Sequence, residues 1–482
     1  MPNEGWMYES VRSIKFSGVC AASLLGMAMA IASPAQTFTT LAVFNDTNGL
    51  EPEAALVQGL DGNFYGTTDE GPAASSYGTI FMVTPTGVLT TLYSFSGTDG
   101  ANPTATLVLG TDGNFYGTTF QGGNLTCGGG FGCGTVFQYT PGGTLTSLHS
   151  FDRTDGGFPS SGLVQATDGN FYGTTTQAGD YHACPVGCGT LFKITASGTL
   201  TTVHNFQGTD GASPSGSLMQ GTDGSFYGTT SMGGPGGYGT IFKFTMGGTL
   251  TTLFSFDLTD GQAPVGGVVQ AADGNFYGTT IGEPGCEGID CGTFFKMTPA
   301  GDLTTLHEFN PRKGYDPLAR LLQATDGNFY GLTRDGGING DCCGTIFRIG
   351  PAGSLTTLYE FPGIPVGQSP TAGLMQATDG NLYGTTTNGG ALGAGSVFRL
   401  SVGLGPFVKL LPHAGHVGSA VKILGTDLSG AIAVTFNGTP VAFTIGSATE
   451  ISIKVPAGAA SGIVQVTLPG GTLSSGQFIV GR

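Results

Sequence analysis

The chain has 482 residues; 10% are charged, 39% are hydrophobic, 88 are Gly, and 32 Phe and 15 Tyr supply aromatic bulk. Few charges with abundant Gly and aromatic residues exclude a disordered chain and a helix bundle, and fit short strands joined by tight turns. A net charge of −16 leaves too few Lys and Arg to neutralise many phosphates, so no nucleic-acid partner is expected.

Residues 1–35 read as a secretory signal. Arg12 and Lys15 form the basic part, residues 16–32 the apolar part, and Ser33 and Ala35 supply small residues for cleavage near Ala35. The apolar run is 17 residues, short of the ~20 that span a bilayer comfortably. A retained membrane anchor is the rival reading. No later segment is long and apolar enough to span. The mature chain is therefore expected to be exported, without a transmembrane segment, as a secreted or cell-envelope protein.

The next stretch, TFTTLAVF (37–44), reads as a strand, and a repeat follows it. Its marker, TDGNFYGTT at 111–119, recurs with Asp at 61, 112, 168, 223, 273, 326 and 379, spaced 50 to 56 residues apart. Each repeat carries four strand-like pieces, as in TATLVLG, NFYGTT, GTVFQYT and TLTSLHSF of the second. Four short antiparallel strands per ~50 residues describe a propeller blade. The LTTLxxF strand has its first copy at 37–44, ahead of any blade, and the seventh repeat ends at GSVFRL without one. The expected fold is thus all-β: a seven-bladed propeller over 36–402, closed by the N-terminal strand beside 395–400.

The marker reads as structural. Asp-Gly makes a tight hairpin in which Gly supplies positive φ. The Gly of FYGTT is expected to admit close approach of the neighbouring blade. A Gly-x-x-Pro leads into every blade, from Gly49/Pro52 to Gly367/Pro370, where Pro suits an innermost strand with no inner neighbour. Seven equivalent Asp residues around a ring cannot converge on one substrate.

On DGNFYGTT, the Gly-Gly after it, GTIFKxT and GTLTTLHSF, residues 41–400 resemble the GloVer tandem repeat of secreted choice-of-anchor bacterial proteins. The resemblance implies a secreted repeat protein and no particular catalytic residue.

Eight Cys lie between the second and third strands of blades two, three, five and six: Cys127/Cys133, Cys184/Cys188, Cys286/Cys291 and Cys342/Cys343. An even number in an exported chain reads as disulfides, here local ones. Zinc is the rival, weakened because the pairs sit in separate blades without a His partner. The adjacent pair is expected to be strained, since neighbouring Cα atoms are ~3.8 Å apart. Tyr77 and Tyr238 stand at the second Cys position in blades one and four.

No catalytic constellation is found, and no cofactor or metal is expected. His149, His204 and His307 share one repeat position in three blades and cannot meet. Blade six departs most from the repeat. Arg320 takes an inner-strand position held elsewhere by Ala55, Thr106, Gly162, Ser217, Gly267 and Gly373. Arg334 and Asp335 begin its second loop, and Arg312, Lys313 and Asp316 lie in its lead-in. These six are the candidate ligand-binding residues, expected to gather at the channel mouth; solvated drift is the rival.

The repeat ends near 402, and residues 403–482 read as a small sandwich. PHAGHVGSAVKILG (412–425), VTFNGTP (434–440) and VPAGAASG (455–462) resemble the IPT/TIG immunoglobulin-like domain, which implies a spacer or adhesive unit. Three functions stay open. One is a non-catalytic binding or surface protein, its partner an acidic glycan or a cell-surface protein. The others are a glycosidase or lyase with acids at the propeller mouth, and a purely structural envelope component.

Overall fold

The computed structural model describes residues 36–72, 77–179, 184–282, 291–337 and 342–481. The repeats form seven four-stranded antiparallel sheets, and in six of them the strand order follows the chain outward from the channel. Blade two, for example, is Val108–Leu109, Phe115–Thr119, Thr135–Tyr139 and Leu145–Ser150. The seventh sheet takes its outer strand from the N-terminus: Thr37–Val43 pairs antiparallel with Ser396–Ser401, from Thr37 opposite Ser401 to Val43 opposite Ser396.

The marker is a scaffold device in every blade. In the first, Asp61 accepts from the Asn63 backbone N–H at 3.1 Å, the Asn63 amide at 2.7 Å and the Tyr65 hydroxyl at 2.9 Å. The following Gly62 has φ 83°, in the region that favours Gly. The Gly of FYGTT differs from expectation. A Cβ on Gly66 would lie 2.6 Å from Phe81, and one on Gly117 the same distance from Phe137. Those rings belong to the third strand of the same blade, so this Gly makes room for its own sheet's Phe, not for a neighbouring blade.

Neighbouring blades are held by three repeated contacts. The marker Tyr packs at a tilt on the marker Phe of the next blade, as Tyr65 on Phe115 at 4.3 Å and Tyr383 on Phe64 at 4.2 Å, which joins the seventh sheet to the first. Such pairs contribute ~0.5–1.5 kcal/mol beyond their burial. The first Thr hydroxyl of the marker donates into the next lead-in, as Thr174 to the Pro214 carbonyl at 3.0 Å. The inner-strand Gln side chain accepts from the preceding blade's hairpin, as Gln165 from Thr111 at 2.9 Å and Gln58 from Thr378 at 3.1 Å. Between blades six and seven the first two contacts change, because Leu332 and Leu382 replace the Thr and the Phe; both Leu are buried.

The cysteine position has a reason that emerges only in three dimensions. The carbonyls of Cys133, Cys188, Cys291 and Cys343 each accept the backbone N–H of the residue ahead of the next blade's Pro. Tyr77, Tyr238 and Ala394 do the same elsewhere. A disulfide there stiffens the loop on which the next blade hangs. Cys127–Cys133 and Cys184–Cys188 are bonded, with Cα atoms 5.5 and 5.3 Å apart. Cys342 is bonded to its neighbour Cys343. Cys291 is disulfide-bonded; its expected partner Cys286 lies outside the described residues.

The C-terminal part forms a four-stranded and a five-stranded sheet. Val421, Ile423, Val434, Phe436, Ile451 and Phe478 are buried within it.

Candidate functional site

The inner strands surround a central cavity of about 860 Å³, and the C-terminal sheets wall one end of it. Phe407, Lys409, Leu411, Pro412, His413 and Ala414 line that end, while Glu53, Thr104, Leu318 and Thr371 line the other. The volume falls within the ~300–1,000 Å³ usual for small-molecule sites.

Departures from the repeat explain the cap. Leu109 stands where every other blade has the inner-strand Gln, so the hairpin of blade one loses that contact. Leu60 stands there in place of the Thr found in most other hairpins. Both Leu pack with Leu411 and Leu424 of the C-terminal part. The Thr449 hydroxyl donates to the Leu60 carbonyl at 2.6 Å, the Phe407 N–H to the Thr378 carbonyl at 3.0 Å, and Thr378 and Thr426 share a 3.1 Å hydroxyl contact. An apolar patch has replaced a polar one where the second domain docks.

Three basic side chains line the cavity. Arg320 and Lys409 have neither a hydrogen bond nor an ion pair among the described residues; Asp379 is the nearby charge acting on Lys409. Lys409 lies 5.8 Å over the Phe407 ring. Arg320 and Lys409 are half-buried where they border the cavity, and His413 is exposed. Burial lowers the Arg320 guanidinium and the His413 imidazole from their ordinary pKa and pushes the Lys409 ammonium down to about 8. Two further cavity-lining groups, the Ser160 and Ser215 hydroxyl oxygens, are buried without a partner.

The six rim candidates do not form one cluster. Arg320 faces the cavity, which Arg312, Lys313 and Arg334 do not line. Arg334 is held by Asp316 at 2.6 Å and Asp335 at 2.7 Å, so its charge is already answered. Arg312 and Lys313 are exposed in the turn between Asn310 and Gly314.

Lys313 occupies the place of a lead-in Asp. His149 meets Asp155 at 2.6 Å and His204 meets Asp210 at 2.8 Å. Those Asp also accept backbone N–H groups of their own turns, a structural role. After blade five Lys313 stands at the Asp position, and the His307 Nε2 is buried without a hydrogen bond. Burial first, then the Lys313 charge, lowers its pKa. Among the described residues no group of three or more His, Cys, Asp or Glu could hold a metal ion.

Glu53 is the one carboxylate among the described cavity-lining residues. Burial, then Asp69 and Glu51, push its pKa up to about 7 from 4.5. The unfolded chain therefore loses this proton at lower pH than the folded one, and stability falls between those two values. Glu53→Gln should remove that fall. The variant should melt above the parent at about pH 8 and with it at about pH 4; identical profiles in a pH-resolved melt would contradict the assignment.

No curated protein matches the chain. Solved structures with similar chains include a fungal alcohol oxidase of the AA5 family in complex with copper, 14% identical with a TM-score of 0.48, covering 92% of this chain and 99% of that one. A periplasmic gluconolactonase of Pseudomonas aeruginosa is 17% identical with a TM-score of 0.43, covering 72% and 98%. A gluconolactonase of Xanthomonas campestris is 13% identical with a TM-score of 0.36, covering 55% and 78%. At these identities none of the likenesses bears on chemistry. The IPT/TIG domain profile matches residues 407–479. The Gloeobacter/Verrucomicrobia repeat profile matches residues 17–182, 125–288 and 218–439, and the chain belongs to that family.

Proposed function

We propose that this is an exported, non-catalytic binding protein whose propeller holds a small acidic ligand, such as an acidic glycan unit, in its central channel. The repeat family and the IPT/TIG domain support a cell-surface or binding role. The disulfides are consistent with export. No helix among the described residues is long and apolar enough to cross a membrane. The observation that carries the ligand class is Arg320, a half-buried guanidinium that lines the central cavity with no ion pair or hydrogen bond among the described residues. Its planar fork suits a carboxylate, and partial burial strengthens the pairing.

The test is calorimetric titration with galacturonate, glucuronate and their neutral parent sugars, on the parent and on Arg320→Ala. The acids should bind and the neutral sugars should not, and the variant should lose at least about tenfold in affinity. Because an unpaired, half-buried charge costs stability, Arg320→Ala should melt at or above the parent. Equal binding by the variant would refute a channel seat. Glu53 is the specific observation that favours an enzyme, and a turnover screen on acidic oligosaccharides with Glu53→Gln as control decides that alternative.

A further inference from the structure

The C-terminal domain does more than extend the chain from the propeller. Its first strand, Lys409–Leu411, and the residues just after it form one wall of the cavity. We propose that Lys409 completes the channel site, so that Arg320 and Lys409 together select an elongated ligand with two carboxylates, of acidic-disaccharide size.

The inference rests on the channel reading above and adds the second charge and the second domain. Arg320 lies ahead of the short inner strand Leu322–Gln323, and its blade continues to Ala324 and Thr325 at the capped end of the cavity. At ~3.3 Å per residue, the backbone from Arg320 to Ala324 spans roughly 10–13 Å along the channel. Lys409 borders the cavity from that capped end. The two cations thus line one cavity from different elements, and its lining is otherwise largely small and apolar, as at Ala55, Ala105, Gly162 and Gly266. A single carboxylate can answer one of them; a ligand with carboxylates at both ends answers both. The docking contacts at Leu60, Leu109, Thr378 and Thr449 fix the domain carrying Lys409, so the site is preorganised.

The test is titration of the purified full chain with digalacturonate and galacturonate at low salt. The parent should prefer the dianion by about tenfold or more, as expected for one added charge-assisted contact. Lys409→Met should lose that preference while retaining galacturonate binding, and Lys409→Arg should restore it. A Lys409→Met protein that keeps the preference overturns the inference; if Arg320→Ala still abolishes binding, the channel reading survives. If neither ligand binds the parent, both readings fall. Should Lys409→Met melt well below the parent, Lys409→Gln takes its place in the comparison, with the same preference as the deciding readout.

Discussion

A chain beginning at residue 44 should melt about 10 °C below one beginning at residue 36. The strand Thr37–Val43 is the outer edge of the seventh sheet. Without it, Ser396–Ser401 presents a row of unpaired backbone groups. Phe38 makes the loss larger than a simple edge. Its ring stacks 3.8 Å from Tyr359 and lies 5.3 Å from Phe398, so it spans blades six and seven. That junction already has Leu332 and Leu382 in place of the Thr clasp and the Phe stack. Full burial of an aromatic side chain contributes ~1.5–3 kcal/mol; Phe38 is half-buried, and the ladder and packing contacts of the strand add the rest. At ~2 °C per kcal/mol for a large domain, the total reaches the stated drop. Scanning calorimetry checks it. A change of a degree or two would mean that the ring holds without this strand.

The second large effect concerns the cap. The double change Leu60→Thr and Leu109→Gln writes repeat residues back into blades one and two. It removes two apolar anchors from the cluster with Leu411 and Leu424, a loss of ~3–6 kcal/mol of docking if both are fully uncovered. It also restores the Gln contact to the first hairpin, so the propeller itself should keep its melting temperature. The C-terminal domain should then swing free. Small-angle scattering should show a larger radius of gyration, and limited proteolysis should cut near residues 403–406. An unchanged scattering curve would show that the polar contacts at Thr378 and Thr449 suffice to hold the cap.

Much of this architecture could be read in the sequence because repeats average out local ambiguity. One Asp-Gly is a weak hairpin signal; seven at regular spacing fix both turn and blade. The unpaired first strand could be read by counting, since LTTLxxF is missing at the end of the seventh repeat. What escaped was contact across the chain. The Gly of FYGTT was expected to face a neighbouring blade, but pairing opposite Phe81 and its equivalents is a matter of register that composition does not reveal. The rim candidates stand out as departures from the repeat in loops expected to share one face, which does not fix where each side chain turns. Arg334 turns to Asp316 and Asp335, whereas Arg320, just ahead of the inner strand Leu322–Gln323, lines the channel. Lys409 was missed because nothing in residues 403–482 alone tells where that domain docks. A signal was present nonetheless. Leu109 and Leu60 break the repeat at adjoining blades with apolar residues, which marks a covered surface.

The central claim is that ligand sits in the capped channel between Arg320 and Lys409, and co-crystallisation with digalacturonate tests it most directly. The account predicts density inside the cavity, with one carboxylate on the Arg320 guanidinium and the other near the Lys409 ammonium. Density on the outer face around Arg334, Arg312 and Lys313, with the channel empty at saturating ligand, would contradict it.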